Sequence, residues 1–554
     1  MKVQSFLLGN ALLHSTQGLS LPDDVHAALT TRTNSKKSSI EWSECNLDFG
    51  TKKLNEAQKA FDCARLEVPL DYANSDNGKT IKLDLIRAKA TKKPSKGSIL
   101  FNPGGPGPSG VESLLTSGSD LLFASGGQHD IIAFDTRGTG RTLTFNCSAI
   151  AGQDESDLRR REFNTLPQVD LWDVIRGENW DSTGAQAQSC FDNNKDIGKY
   201  IGTPYIARDM MSIVDALGQG EKLNYWGISY GSILGQVVAS MFPKRMGRIL
   251  LDSNPKVDDY AAATWLSSVR DTERSIVNLF DDCVESGEEL CSLANYHGKN
   301  TTGESLMNTF KDQLGIWTNR ANSKENATES ELVALALIKF KNLVLQELYN
   351  PINYPNLASR IEGLFKNNET AMLKPGGLNL ESKWNPFVDQ ANNAIACGDS
   401  SFRAEVPDDL FSMYQALLAE ASWGDTQMIG RFRCARWKFS AAEQIDLDKI
   451  RSVNTSYPVL VINGRYDPVT PLSGSWEVSA QFRRSRLVVH KGVGHGVINH
   501  SSNCTNAIIA EYFIDGKMPK LNTTCSPDMT AFEYADTLNN LIKQSEEKEA
   551  GDDE

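Results

Sequence analysis

The sequence predicts an α/β fold: a mostly parallel sheet flanked by helices and interrupted by a long helical insertion. Three observations predict it. Short apolar runs of strand length alternate with helical patterns in two blocks, one near residues 83–254 and one near 458–492. Between the blocks, residues 261–445 are more polar and read as helices. The 554 residues contain 40% hydrophobic and 23% charged side chains, an ordinary globular composition with material for a large core.

In the first block the buried runs are LDLIRA (83–88), SILFNPGG (98–105), DIIAFDTRG (130–138), LNYWGIS (223–229) and RILLDSN (248–254). All five read as parallel strands. The segment YIARDMMSIVDAL (205–217) places Ile206, Met210, Ile213, Val214 and Leu217 on one stripe, as an amphipathic helix requires. The second block supplies PVLVING (458–464) and SRLVVHKG (485–492). Within the insertion, 330–348 is helical and KPGGLNL (374–380) is a turn. The expected division is 40–260 and 446–540 for the two parts of the core and 261–445 for the insertion. Residues 541–554 form an acidic tail, expected to be disordered.

Lys and Arg total 57 against 70 Asp and Glu, a formal charge of −13. An acidic surface repels phosphate backbones, which argues against nucleic-acid binding. No run of about 18 apolar residues exists to span a membrane. Residues 1–20 have one Lys, a semi-apolar run and small residues, the outline of a secretory signal. Eight Asn-x-Ser/Thr sequons, at Asn146, Asn300, Asn326, Asn368, Asn454, Asn499, Asn503 and Asn522, compare with roughly five by chance and support secretion only mildly.

The ten cysteines, an even number with no CxxC, favour disulfides over metal ligation. Sequential pairing (45–63, 147–190, 283–291, 397–434, 504–525) closes five short loops and is the expected connectivity. The expected location is therefore outside the cell or in a vacuole-like lumen. No metal or other cofactor is called for.

The chemistry centres on Gly227-Ile228-Ser229-Tyr230-Gly231, a G-x-S-x-G between an apolar strand and a helix. Flanking glycines permit a sharp turn that lifts the serine hydroxyl clear of the sheet. A serine nucleophile needs a base, and the base needs an orienting carboxylate. In this architecture the chain order is Ser, acid, His. His490 lies inside the last strand and reads as a core residue, and His500 reads as a surface residue. His495, in Gly494-His495-Gly496 beyond that strand, is the candidate base. Asp467, after VLVINGRY and held by Pro468 and Pro471, is the candidate acid. Asp135 precedes the serine and takes a structural role.

An acyl-transfer intermediate needs two oxyanion donors. Tyr230 N–H is one. The loop Asn102-Pro103-Gly104-Gly105-Pro106-Gly107 offers the other, assigned to Gly105 with Gly104 as the alternative. The same loop contains G-x-G-x-x-G at 105–110, with Asp135 ending the next strand, as in dinucleotide sites. Two prolines there remove amides that a pyrophosphate would need, so that reading is set aside.

NPGGPGPSG, FDTRGTGRT, GISYGS, INGRYDPVTP and GVGHG, in that order, resemble the tripeptidyl aminopeptidase-like serine exopeptidases. These are α/β-hydrolases related to prolyl iminopeptidases, with a TAP-like C-terminal segment. The lead-in Trp42…Cys45…Cys63 through Tyr72 is similar too, and the resemblance spans about 40–540. It implies a Ser229, Asp467, His495 triad and a lid formed by the insertion. It also implies a lid carboxylate for the substrate's free α-amine, for which Asp399 in Ile395-Ala396-Cys397-Gly398-Asp399 is the candidate. The implied substrate is a peptide with a free N-terminus. An ester substrate is the alternative, because this fold hosts both chemistries.

Overall fold

The computed structural model describes residues 39–147, 166–323, 325, 327–375 and 382–552. The expected signal segment 1–20, the 374–380 turn from residue 376 onward and the Asn326 sequon lie outside them. Ten strands form one sheet in the order β1-β2-β3-β5-β4-β6-β7-β8-β9-β10. They are β1 (Ser43–Glu44), β2 (Asp62–Pro69), β3 (Thr80–Ala88), β4 (Ser98–Asn102), β5 (Asp130–Phe134), β6 (Leu223–Ile228), β7 (Met246–Asp252), β8 (Leu460–Tyr466), β9 (Arg486–Val493) and β10 (Thr524–Cys525).

From β5 across to β10 every pairing is parallel. The first edge departs from expectation. β3, which carries LDLIRA, runs antiparallel to both β2 and β5. The reason is chain length: the connections 70–79 from β2 to β3 and 89–97 from β3 to β4 are both shorter than the dozen residues or more that a parallel crossover needs.

Helices Thr203–Leu217 and Tyr230–Met241 cover one face of the sheet. The first starts with Pro204 in its opening turn and stops at Gly218, whose φ of 65° lies in the left-handed region. Helices Gly110–Ala124 and Asn503–Asp515 cover the other face. Since β4 lies between β5 and β6, the loops leaving the C-terminal ends of β4 and β6 meet at a topological switch point, where open α/β sheets form their crevice.

Helices from Thr272–Ser286 to Ile429–Ala435 fill the connection between β7 and β8. They enclose a second apolar cluster around Phe280, Phe310, Leu337, Phe340 and Trp423. Two distant segments join it: Leu166, Val169, Trp172 and Trp180 from before β6, and Phe532 from the last helix. Helix Val388–Asp399 instead returns to the sheet, where Ala394, Ile395 and Cys397 pack on the first face. The C-terminus also departs from expectation, because the last helix runs Ala531–Asp552, into the segment read as a disordered tail. The five disulfides follow the sequential connectivity, Cys45–Cys63, Cys147–Cys190, Cys283–Cys291, Cys397–Cys434 and Cys504–Cys525. No helix among the described residues is long and apolar enough to cross a membrane.

Candidate active site

Ser229 stands between β6 and its helix with φ 59° and ψ −125°. A non-glycine residue at positive φ is strained, and it persists only where its surroundings over-determine it. Two glycines supply the room. A Cβ on Gly227 would lie 2.2 Å from Gly231 O, and one on Gly231 would lie 2.5 Å from Asn102 O.

Asp467 and His495 come from the loops after β8 and β9. His495 Nδ1 lies 3.0 Å from Asp467 Oδ2 and 3.1 Å from Oδ1. Asp467 is fully buried, and its carboxylate also accepts from Val469 N, Thr470 N and Thr470 Oγ1. Burial opposes its charge, but His495 and these donors hold its pKa below the usual carboxylate range. Burial likewise opposes a charged His495, yet Asp467, with Asp252 beyond it, raises the imidazole above its ordinary value.

Asp252, the last residue of β7, ties the serine to this pair. Its carbonyl accepts from Ser229 N at 3.0 Å. Its carboxylate accepts from Val497 N, two residues past His495, at 3.2 Å.

The loop after β4 closes over the serine. A Cβ on Gly104 would lie 2.7 Å from Ser229 Cβ and 2.6 Å from Ile228 O, so glycine alone fits. The Gly104 amide is committed to Asn102 Oδ1 at 3.0 Å. That favours Gly105 over Gly104 as a donor. Tyr230 is the first residue of its helix, so its amide has no intrahelical acceptor.

A family model described as "TAP-like protein" matches residues 419–525, which hold β8, β9, Asp467 and His495. A tripeptidyl aminopeptidase of Streptomyces lividans is 25% identical over 533 residues, covering 93% of this chain and 91% of that protein. Serine protease Hip1 of Mycobacterium tuberculosis is 27% identical over 507 residues, covering 88% and 91%. The chain is a serine hydrolase of the α/β-hydrolase fold, and residues 419–525 are similar to the TAP-like family. Carboxylesterase B of Mycobacterium tuberculosis is also similar, at 25% identity over 520 residues, with 88% and 90% covered.

In this serine hydrolase the insertion touches each loop at the site. Ser268 Oγ and Thr272 Oγ1 donate to the carbonyls of Val469 and Pro468, and Ser275 Oγ donates to Tyr466 O. Asn385 Nδ2 and Asn392 Nδ2 donate to Gly107 O and Pro106 O at 2.9 and 2.7 Å. Tyr349 O accepts from His495 N at 2.8 Å.

Asp399 ends the helix that carries Asn392, and it is buried. It accepts from Thr203 N at 2.9 Å, Thr203 Oγ1 at 2.5 Å and Tyr260 OH at 2.7 Å. Burial pushes its pKa up to about 6 despite these donors. Thr203 Oγ1 in turn lies 2.7 Å from Tyr230 OH, so Asp399 braces the residue after Ser229. Asp135 is buried and accepts from Ser109 Oγ, Val111 N and Trp384 Nε1. It fixes the start of the helix after the glycine loop, the structural role expected of it.

His490 is a core residue, with Nδ1 3.0 Å from Thr505 Oγ1, and burial lowers its pKa to about 4. His500 corrects expectation: it is 2% exposed rather than at the surface. Its Nδ1 accepts from Val493 N at 3.2 Å and its Nε2 donates to Met529 O at 3.1 Å. Met529 and Tyr534, around the start of the last helix, pack over it. Asp252 was missed as well. Its only signal was an apolar run ending in Asp, the pattern also shown by Asp135. Burial pushes the Asp252 carboxyl up to about 7.

Proposed function

We propose that Ser229, His495 and Asp467 form the catalytic triad of an exopeptidase that releases short peptides or amino acids from free N-termini. The observation that carries it is the Asp467–His495 hydrogen bond, linked through Asp252 to a serine in a strained strand-to-helix turn. Ser229 Oγ attacks the scissile carbonyl while His495 Nε2 takes its proton. The bond to Asp467 fixes the tautomer with the proton on Nδ1, leaving Nε2 as the base. The oxyanion receives hydrogen bonds from the amides of Gly105 and Tyr230, which develop full strength only in the transition state. His495 then protonates the departing amine, and water releases the acyl fragment by the reverse sequence.

The N-terminal preference draws on similarity to proteins named tripeptidyl aminopeptidase. Secretion, glycosylation and a lid role for 261–445 belong to the same reading, and five disulfides fit an oxidising compartment. Asp399 enters it as a candidate anchor for the substrate's α-amine. Its three donors already occupy both carboxylate oxygens, so its support in the structure is for bracing Tyr230. Ester hydrolysis is the second reading, favoured by the carboxylesterase relative.

A fluorophosphonate probe tests the nucleophile. One adduct is expected, on the peptide containing Ser229, and none in Ser229→Ala. An undiminished adduct in Ser229→Ala contradicts the assignment.

A further inference from the structure

We propose that Tyr349 and Asn350 of the insertion form a positioning strut for His495, acting through Asn499. The proposal rests on reading His495 as the catalytic base.

The need for a strut follows from the sequence of the loop. His495 is flanked by Gly492, Gly494 and Gly496, and the last two have φ of 87° and 95°. Glycine-rich backbone has wide conformational freedom, so such a loop does not by itself hold an imidazole to a fraction of an ångström. Asp467 restrains the ring but not the backbone that carries it.

The core holds the backbone after the ring, with Gly496 N donating to Ser253 Oγ at 2.8 Å and Val497 N to Asp252 at 3.2 Å, and the insertion adds restraint on both sides of His495. The His495 N–H donates to Tyr349 O at 2.8 Å. The His495 carbonyl accepts from Asn499 Nδ2 at 2.5 Å. Asn499 Oδ1 in turn accepts from Asn350 Nδ2 at 3.2 Å. The Tyr349 ring meets the imidazole edge-on, with centroids 5.0 Å apart. Gly494 fits this contact because a Cβ there would lie 2.7 Å from Tyr349 O.

Both peptide groups of His495 are thus tied to two consecutive residues at the end of helix Ala327–Leu348. Seating the insertion and aligning the base become one event. Asn499 and Asn350 touch neither the reacting atoms nor the imidazole ring. They are positioning residues.

The test uses the full chain. Asn350→Ser keeps a side-chain acceptor for the Ile352 amide, which Asn350 Oδ1 now serves at 3.1 Å, but is too short to reach Asn499. Asn499→Ala removes the bond to His495 O. Each is expected to lower kcat about 10- to 100-fold, the scale of a base displaced by up to an ångström, with KM changed less than about threefold.

The carboxyl groups facing the imidazole are Asp467 and Asp252, whose influence raises its pKa. A loosened His495 loses part of that influence, so the acid limb of kcat/KM moves to lower pH. The two substitutions act on one chain of bonds, so their combined effect is smaller than the product of the single effects.

Ser501→Ala is the control, since it destroys the Asn499 sequon but leaves the Asn499 side chain. It is expected to keep wild-type kcat. Thermal unfolding midpoints close to wild type separate positioning from misfolding; if Asn499→Ala unfolds, Asn350→Ser alone decides. Unchanged kcat and acid limb in Asn350→Ser, or an equal loss in Ser501→Ala, would overturn the strut. An active His495→Ala protein would instead overturn the assignment of the base, and with a different signature.

Discussion

Ser229 and His495 were legible in the sequence because each sits in a glycine-flanked turn at the end of an apolar strand. The acid was less determined. Chain order after the serine admits Asp252 as well as Asp467, and both end strands of the sheet. Geometry separates them. Asp467 bonds the imidazole directly and its pKa lies below the usual range, whereas Asp252 contacts the 497 amide and burial holds its pKa near 7. Asp467→Asn is therefore expected to lower kcat about ten-thousand-fold, because an amide cannot hold the same tautomer. Asp252→Asn is expected to lower it less than about tenfold, since its effect on the imidazole acts only through space. Wild-type kcat/KM should rise with pH through an apparent pKa above the ordinary histidine value of 6.5, because the base works only when neutral. Rate–pH profiles of the three proteins check all of this.

Among the elements, strands and helices with strong periodicity were readable, and those fixed by long-range packing were not. The 205–217 stripe became helix Thr203–Leu217, since its apolar face needed only the sheet beneath it. The antiparallel direction of β3 depended on the length of one connection, which an apolar run does not report. The part of the last helix from residue 541 onward looked like a tail because its charged sequence has little apolar content of its own, while Ala531, Phe532 and Ala535 near the helix's start are buried. Helix Val388–Asp399 was marked in the sequence only at Asp399, as a candidate for the substrate's α-amine. It reaches the glycine loop through Asn392 and the Tyr230 hydroxyl through Asp399 and Thr203, and so braces both proposed oxyanion donors. Asn392→Ala should free the Pro106 carbonyl and lower kcat about tenfold with little change in KM, as expected for an interaction realised in the transition state. Steady-state kinetics on one substrate distinguish that pattern from a loss of binding, which would raise KM instead.

At the scale of the molecule, the insertion is hydrogen-bonded to every loop that carries a proposed catalytic residue. Its hydrogen bonds reach the acid loop through Ser268, Thr272 and Ser275, the base loop through Tyr349 and Asn350, and the glycine loop through Asn385 and Asn392. The sequence showed that a helical region interrupts the sheet. It did not show that Leu166 to Trp180 would join that region's core, because those residues lie far away in the chain. The most direct measurement is mass spectrometry of products from one peptide pool, presented with free and with acetylated N-termini, using Ser229→Ala as the control. The account predicts stepwise release of short N-terminal fragments from the free pool alone, abolished in the control. Cleavage of the acetylated pool at an equal rate, or no cleavage of either pool by protein that hydrolyses esters, would contradict it.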